Sequence, residues 1–164
     1  RRIHWYTYDV MLKRNVAGRI RWNENLQSWQ DYNYFCKMLL VTTKGHYIPQ
    51  VLTHRRLHRV SIQQQMTSSF SSFKSALIDV YWYTFQDIKH QISKHIKKEF
   101  TRNLMNLSFG LVKEYKIPPR IFQIASLVFR VFGFRGLLFY KLSLVSGACI
   151  RKGESLLEVA KSKN

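Results

Sequence analysis

Seven apolar residues, Ile88, Ile92, Ile96, Phe100, Leu104, Leu107 and Leu111, step by four, four, four, four, three and four positions. A helix turns once in about 3.6 residues, so this spacing returns all seven to one side. The stretch is therefore predicted to be one long amphipathic α-helix, and such a helix needs a core to bury its stripe. Lys89, Lys94, Lys97 and Lys98 lie off the stripe. They read either as plain solvated surface or as a contact for nucleic acid.

Charge is the second constraint. Lys and Arg total 27 against nine Asp and Glu, a net charge of +18 on 164 residues. The excess is dispersed: residues 1–60 hold 11 basic and three acidic side chains, 61–100 hold five and three, and 101–164 hold 11 and three. Self-repulsion on this scale destabilises a compact domain unless a partner supplies counter-charge. Nucleic acid does so by replacing condensed counterions at each phosphate contacted; an anionic membrane is the other source. At 46% hydrophobic and 15% aromatic residues, the chain can build a core, which excludes a purely disordered basic arm.

Three parts are expected along the chain. Residues 1–33 read as an extended basic and aromatic arm. Arg19, Arg21, Trp22, Trp29, Tyr32 and Tyr34 mix cations with rings there, as segments that stack on RNA do, so the arm is expected to lie on a partner rather than on its own domain. Residues 34–112 read as an α/β part. Tyr47–Thr53 is strand-like with Pro49 at its edge, Val60, Ile62 and Gln64 alternate like a half-exposed strand, and His54–Arg59 forms a basic hairpin-like connection. A Ser-rich link over Thr67–Ser72 precedes the long helix.

Residues 113–164 read as a helix plus a small sheet. Pro118-Pro119 breaks the long helix, and a shorter one restarts near Arg120. Phe122, Ala125, Phe129 and Phe132 space like its buried face, and Gly133 ends it. Gly136–Leu144 then looks like a strand, Ser146-Gly147 like a turn and Ala148–Arg151 like a partner strand. Ser155, followed three residues later by Glu158, marks a last helix with a capping box. The fold class expected is α+β. Arg130, Arg135 and Lys141 interrupt the apolar run Ile121–Ile150 and leave charge-free pieces of nine residues, about half of a membrane span, so no transmembrane segment is expected.

The chemistry of sites is sparse. The six histidines are His4, His46, His54, His58, His90 and His95. They find no acidic cluster to complete a metal shell and read as solvated or RNA-facing. The carboxylates are scattered, so no acid–base pair suggests itself. Cys36 and Cys149 sit in apolar settings and read as buried, reduced thiols. No phosphate-cradling or dinucleotide loop occurs. Neither an enzyme nor a cofactor is expected. Gly133-Phe-Arg-Gly136 has the spelling of the KH backbone clamp, which an ordinary cap and turn between helix and strand also produces.

The C-terminal stretch carries a resemblance. Glu114-Tyr-Lys-Ile-Pro-Pro-Arg120 resembles the Glu-Arg-Arg-(Ile/Val)-x-Phe-Arg segment of the KH-containing ribosomal small-subunit protein S-three family. Ala125, Gly133-Phe-Arg-Gly136-Leu, Gly147-Ala-x-Ile150 and Lys152 follow in the family's order. Gly18-Arg-Ile, Ser28-Trp29, Asp31-Tyr32, Ile48-x-x-Val51, Arg55 and Val60-x-Ile62 are weaker echoes upstream. The family's N-terminal KH loop has no counterpart at Thr67–Ser72, and His54 replaces its glutamate before Arg55. This erosion resembles a divergent mitochondrial form. Residues 55–65 also resemble the core of the small-subunit S-eighteen family, a local rival.

The resemblance implies a degenerate KH-like fold and a structural constituent of the mitochondrial small ribosomal subunit. It would bind rRNA in the head, near where mRNA enters, in the matrix. Its partners would be rRNA and neighbouring small-subunit proteins, with mRNA a further candidate and no small-molecule substrate. Arg55, Arg56, Arg59, Arg120, Arg130, Arg135, Arg151 and Lys152 are the candidate phosphate contacts, with Arg19 and Arg21 in the arm, because arginine's fork of donors suits phosphate. Trp22, Trp29 and Tyr32 are candidates for stacking. The alternative is an accessory subunit of an inner-membrane respiratory or ATP-synthase complex, its charge facing anionic lipid.

Overall fold

A computed structural model describes residues 7, 10–54, 70–151 and 153–162. Every regular element among them is helical: α1 Arg14–Ala17, α2 Gln30–Val41, α3 Phe70–Ile88, α4 Lys94–Val112, α5 Ile121–Ile150 and α6 Glu154–Lys161. No strand occurs among the described residues, so the α+β expectation, with its KH-like part and C-terminal antiparallel sheet, is corrected to an all-helical fold. Each helix from α2 onward packs on the next, α2 on α3, α3 on α4, α4 on α5 and α5 on α6.

The apolar stripe is divided between two helices rather than carried by one. Ile88 closes α3, and the Ser93 hydroxyl accepts the Ile96 N–H and starts α4. Phe100, Leu104 and Leu111 are buried with Ile78, Phe85 and Ile88 of α3, whereas Ile96, in the first turn of α4, is exposed. The Ser-rich link is partly helix, since α3 already begins at Phe70.

After Pro118-Pro119, Arg120 (φ 58°) leads into α5, a run of 30 residues interrupted at Gly133, whose φ of 70° and ψ of −170° are non-helical. The break falls where the sequence places it, but helix follows, not strand. Gly136–Leu144, Ser146-Gly147 and the last residues before Arg151 all belong to α5. The buried positions explain this. Gly136, Tyr140, Ser143 and Gly147 recur at helical spacing and are all buried. A Cβ on Gly147 would lie 2.8 Å from the Phe109 ring, and one on Gly136 would lie 3.3 Å from the Ala160 carbonyl. Small residues at these points let α4 and α6 approach, whereas a strand would turn alternate residues to opposite faces.

In the first half of α5 the buried residues are Ile124, Leu127, Val128 and Phe132, while Phe122 and Phe129 are exposed. The expected face was one of two apolar registers in a stretch that is apolar nearly all round. On length and composition Ile121–Cys149 is apolar enough to cross a membrane, yet one side of it is core.

The last helix starts at Glu154 after Gly153 (φ 123°), so the Ser155–Glu158 capping box does not form. Glu158 instead pairs with Lys161, whose ammonium also donates to Asn106. Arg102 donates to the Lys161 carbonyl and Lys113 pairs with Glu154 at 2.5 Å, which ties α6 to α4.

The arm is not extended over its described part. Ile20, Tyr34, Phe35 and Met38 form a second small core with Val10, Leu12 and Val16. The Asn23 and Asn33 side-chain amides both donate to the Asp87 carboxylate, at 2.8 and 2.9 Å, and so fasten the arm and α2 to α3. Residues 30–33 are the first turn of α2. Tyr47–Thr53 is irregular and exposed rather than a strand. The expected strand from Val60 lies outside the described residues.

Candidate nucleic-acid interface

The corner between α3 and α4 gathers cations. Lys89 follows the last turn of α3, and Lys94, Lys97 and Lys98 fall in the first turns of α4, with exposed His90 and His95 beside them. A helix N-terminus already presents unsatisfied N–H groups and the positive end of the macrodipole, which Asp or Glu usually offsets. The first turn of α4 holds no acidic residue. Glu99 pairs with Arg102 at 2.5 Å, and among the described residues no carboxylate reaches Lys94, Lys97 or Lys98. Two turns further on, this side of the helix becomes core at Thr101, Leu104 and Met105. The lysines thus stand where the apolar packing ends.

Elsewhere most of the described carboxylates are consumed internally, Glu24 and Asp31 excepted. Besides Glu99 and Glu158, Asp87 pairs with Lys37, Glu114 with Lys74, Glu154 with Lys113 and Asp79 with Arg120. Lys13, Arg14, Arg19, Arg21, Lys44, Lys116, Arg130, Arg135, Lys141 and Arg151 have no carboxylate partner among the described residues.

The residues singled out from sequence fall in separate places. Arg19 and Arg21 are exposed in the arm. Trp22 stacks on Tyr34 with ring centroids 4.4 Å apart and keeps about half its surface open. Trp29 meets Phe73 edge-on at 5.3 Å and Tyr32 meets Tyr81 at 5.6 Å, so both rings serve the protein's own packing. Arg120 is likewise engaged: its guanidinium donates to Asp79 at 2.6 Å and to the Tyr83 hydroxyl at 2.8 Å, and lies 4.5 Å from the Tyr83 ring centroid. Arg130 and Arg135 are exposed on either side of the Gly133 break. Arg151 (φ 53°) follows α5 and lies over the Tyr115 ring at 5.1 Å. Arg55, Arg56, Arg59 and Lys152 lie outside the described residues.

Gly133 and Gly136 do not form a clamp loop. Gly136 is buried, and a Cβ there would meet Phe132 at 2.4 Å, which leaves its backbone closed to a ligand. The cysteines also differ from expectation, for Cys149 is exposed on α5 while Cys36 is half-buried. Burial pushes the Cys36 thiol up to about 11, against a smaller lowering by its hydrogen bond with Tyr32. No cluster of three or more His, Cys, Asp or Glu able to hold a metal ion occurs among the described residues.

Two surfaces were not singled out from sequence as sites. The lysine corner was visible as residues off a stripe, and the missing signal was Ser93, a strong N-cap residue three positions before the Ile96 N–H it accepts. The exposed side of α5 was hidden by reading 136–144 as a strand. Comparisons of the chain with protein-family models, with curated proteins and with solved structures found no match.

Proposed function

We propose that this chain is a structural, non-catalytic RNA-binding constituent of the mitochondrial small ribosomal subunit, embedded in rRNA. The observation that carries the reading is the corner at α3 and α4, where Lys94, Lys97 and Lys98 crowd the positive end of a 19-residue helix without a carboxylate. Phosphate oxygens would satisfy the free N–H groups, the macrodipole and the ammonium groups together. The remaining cations without a described carboxylate partner are spread along the chain from the arm to the end of α5, which suits a protein touched by polyanion on several sides. The S-three and S-eighteen resemblances both point to a small ribosomal subunit. With no sheet among the described residues, a KH-type hold on mRNA has no structural support, and rRNA is the polyanion proposed.

Gradient sedimentation of a mitochondrial extract containing the full chain tests this. The chain should travel with small-subunit particles at moderate salt and leave them after RNase treatment. Migration with a detergent-solubilised membrane complex, unchanged by RNase, would overturn the reading.

A further inference from the structure

The second half of α5 buries one side and leaves the opposite side without a partner among the described residues. Phe134, Leu138, Leu142 and Val145 step by four, four and three residues and are 71, 44, 43 and 61% exposed. A contiguous apolar stripe of this kind is uncommon on a surface that faces only water. At about 100° of rotation per residue, Arg135 falls on one flank of the stripe and Lys141 on the other. Both are exposed, and Arg135 lies 5.8 Å from the Phe139 ring centroid. No Asp or Glu occurs between Glu114 and Glu154, so no acidic side chain of this segment opposes an anionic partner.

We propose that this face of α5 lies flat on an anionic lipid surface, with Phe134, Leu138, Leu142 and Val145 at the boundary between headgroups and acyl chains and Arg135 and Lys141 against lipid phosphates. The charge pattern selects this occupant. A second copy docked through the same face would set the flanking cations of both copies against each other, because a two-fold interface pairs a patch with itself. RNA offers phosphates but no apolar medium for four such side chains. A bilayer surface offers both, and an amphipathic helix with basic flanks binds it in the plane of the interface. Crossing the bilayer is a different matter, since the other side of α5 is packed on α4 and on α6, which holds the Glu158–Lys161 pair. Burying those charges in hydrocarbon is costly.

The chain's own cysteines provide the probe. Cys149 is exposed four residues beyond Val145, and Cys36→Ser leaves it as the single thiol. The full chain, freed of RNA and labelled at Cys149 with an environment-sensitive fluorophore, is titrated with vesicles of equimolar phosphatidylcholine and phosphatidylglycerol and with vesicles of phosphatidylcholine alone. The anionic vesicles should shift the emission to the blue, spin-labelled lipid should quench it, and the neutral vesicles should do neither. The double variant Leu138→Asn/Leu142→Asn should partition on the order of tenfold more weakly, because less apolar area enters the lipid.

Binding without a blue shift, or binding undiminished in the leucine variant, would mean that general positive charge holds the protein and would overturn the proposal. So would a lack of vesicle binding. A concentration-dependent dimer abolished by the same variant would assign the face to a second copy. The label stands on an unsubstituted face, so its response decides the matter even where the leucine variant folds poorly. RNA binding by the leucine variant should be unchanged, which separates this surface from the lysine corner.

Discussion

The Ser93 hydroxyl accepts a hydrogen bond of 3.3 Å from the Ile96 backbone N–H, and this interaction divides one apolar stripe between two helices. With the chain turned at Lys89–Ile92, Ile88 reaches the core from α3 while Phe100, Leu104 and Leu111 reach it from α4. The same turn gathers four lysines, Lys89 just after α3 and Lys94, Lys97 and Lys98 in the first turns of α4. A single continuous helix would have strung them along a solvated face.

Ser93→Ala should therefore destabilise the fold by about 1 kcal/mol, the usual worth of an N-cap. Urea unfolding followed by circular dichroism measures it. Ser93→Asp should preserve the cap and add a favourable charge at the helix N-terminus, leaving stability unchanged or slightly higher.

Salt dependence separates cations that face RNA from those used internally. Replacing Lys94, Lys97 and Lys98 with Ala should lower the slope of log K against log salt by roughly one unit for each phosphate that is no longer neutralised. Arg120→Ala should leave the slope in place and reduce stability by about 1 kcal/mol, because it removes a partially exposed pair with Asp79 and a hydrogen bond to Tyr83. Filter binding of rRNA fragments across a salt series reads the slopes, and urea unfolding reads the stability.

Gly133 holds a backbone conformation that residues with a Cβ rarely adopt, with open space around its Cα. Gly133→Ala should cost about 1–3 kcal/mol of stability through backbone strain, without a steric clash. A fall in Tm unrelieved by trimming neighbouring side chains is the signature.

Alkaline pH should weaken the fold. Burial raises the Cys36 thiol from 9.0 to about 11. Burial also raises the hydroxyls of Tyr32, Tyr81 and Tyr140 above their ordinary value. Each group ionises first in the unfolded chain, which then binds fewer protons than the native one, so stability falls as pH rises. Between pH 9 and about 11 the Cys36 contribution should disappear in Cys36→Ala, flattening that part of a plot of unfolding free energy against pH. At a pH of about 8, below the ordinary range for a free thiol, a thiol reagent should modify exposed Cys149 well before Cys36.

Where neighbouring residues alone decide, the sequence was legible. Pro118-Pro119 falls in the gap between α4 and α5, where its rings bar α geometry and lack a donor, although α4 has already stopped at Val112, and the break at Gly133 follows from glycine's freedom. Phe100, Leu104 and Leu111 are core because their spacing leaves them no other side to face. The second half of α5 was misread. Gly136 to Leu144 is apolar enough to be a strand, and only the approach of Phe109 to Gly147 and of Ala160 to Gly136 selects a helix. The arm was misread for a related reason. Its cations and rings suit RNA stacking, but Ile20 and Leu26 are buried, Ile20 against Tyr34, Phe35 and Met38 of α2.

The sequence by itself determined the charge of +18, the shortage of counter-charge, the scarcity of catalytic groups and the helix break at Gly133. These are properties of composition and of neighbouring residues. Tertiary structure decided which of two apolar registers α5 buries, that Arg120 serves Asp79 while no described carboxylate reaches Lys94, Lys97 or Lys98, and that Phe134, Leu138, Leu142 and Val145 face outward. Those outcomes depend on residues that are distant in sequence and meet only when helices pack. An apolar or cationic side chain near a helix surface gains its role from what its neighbours leave exposed.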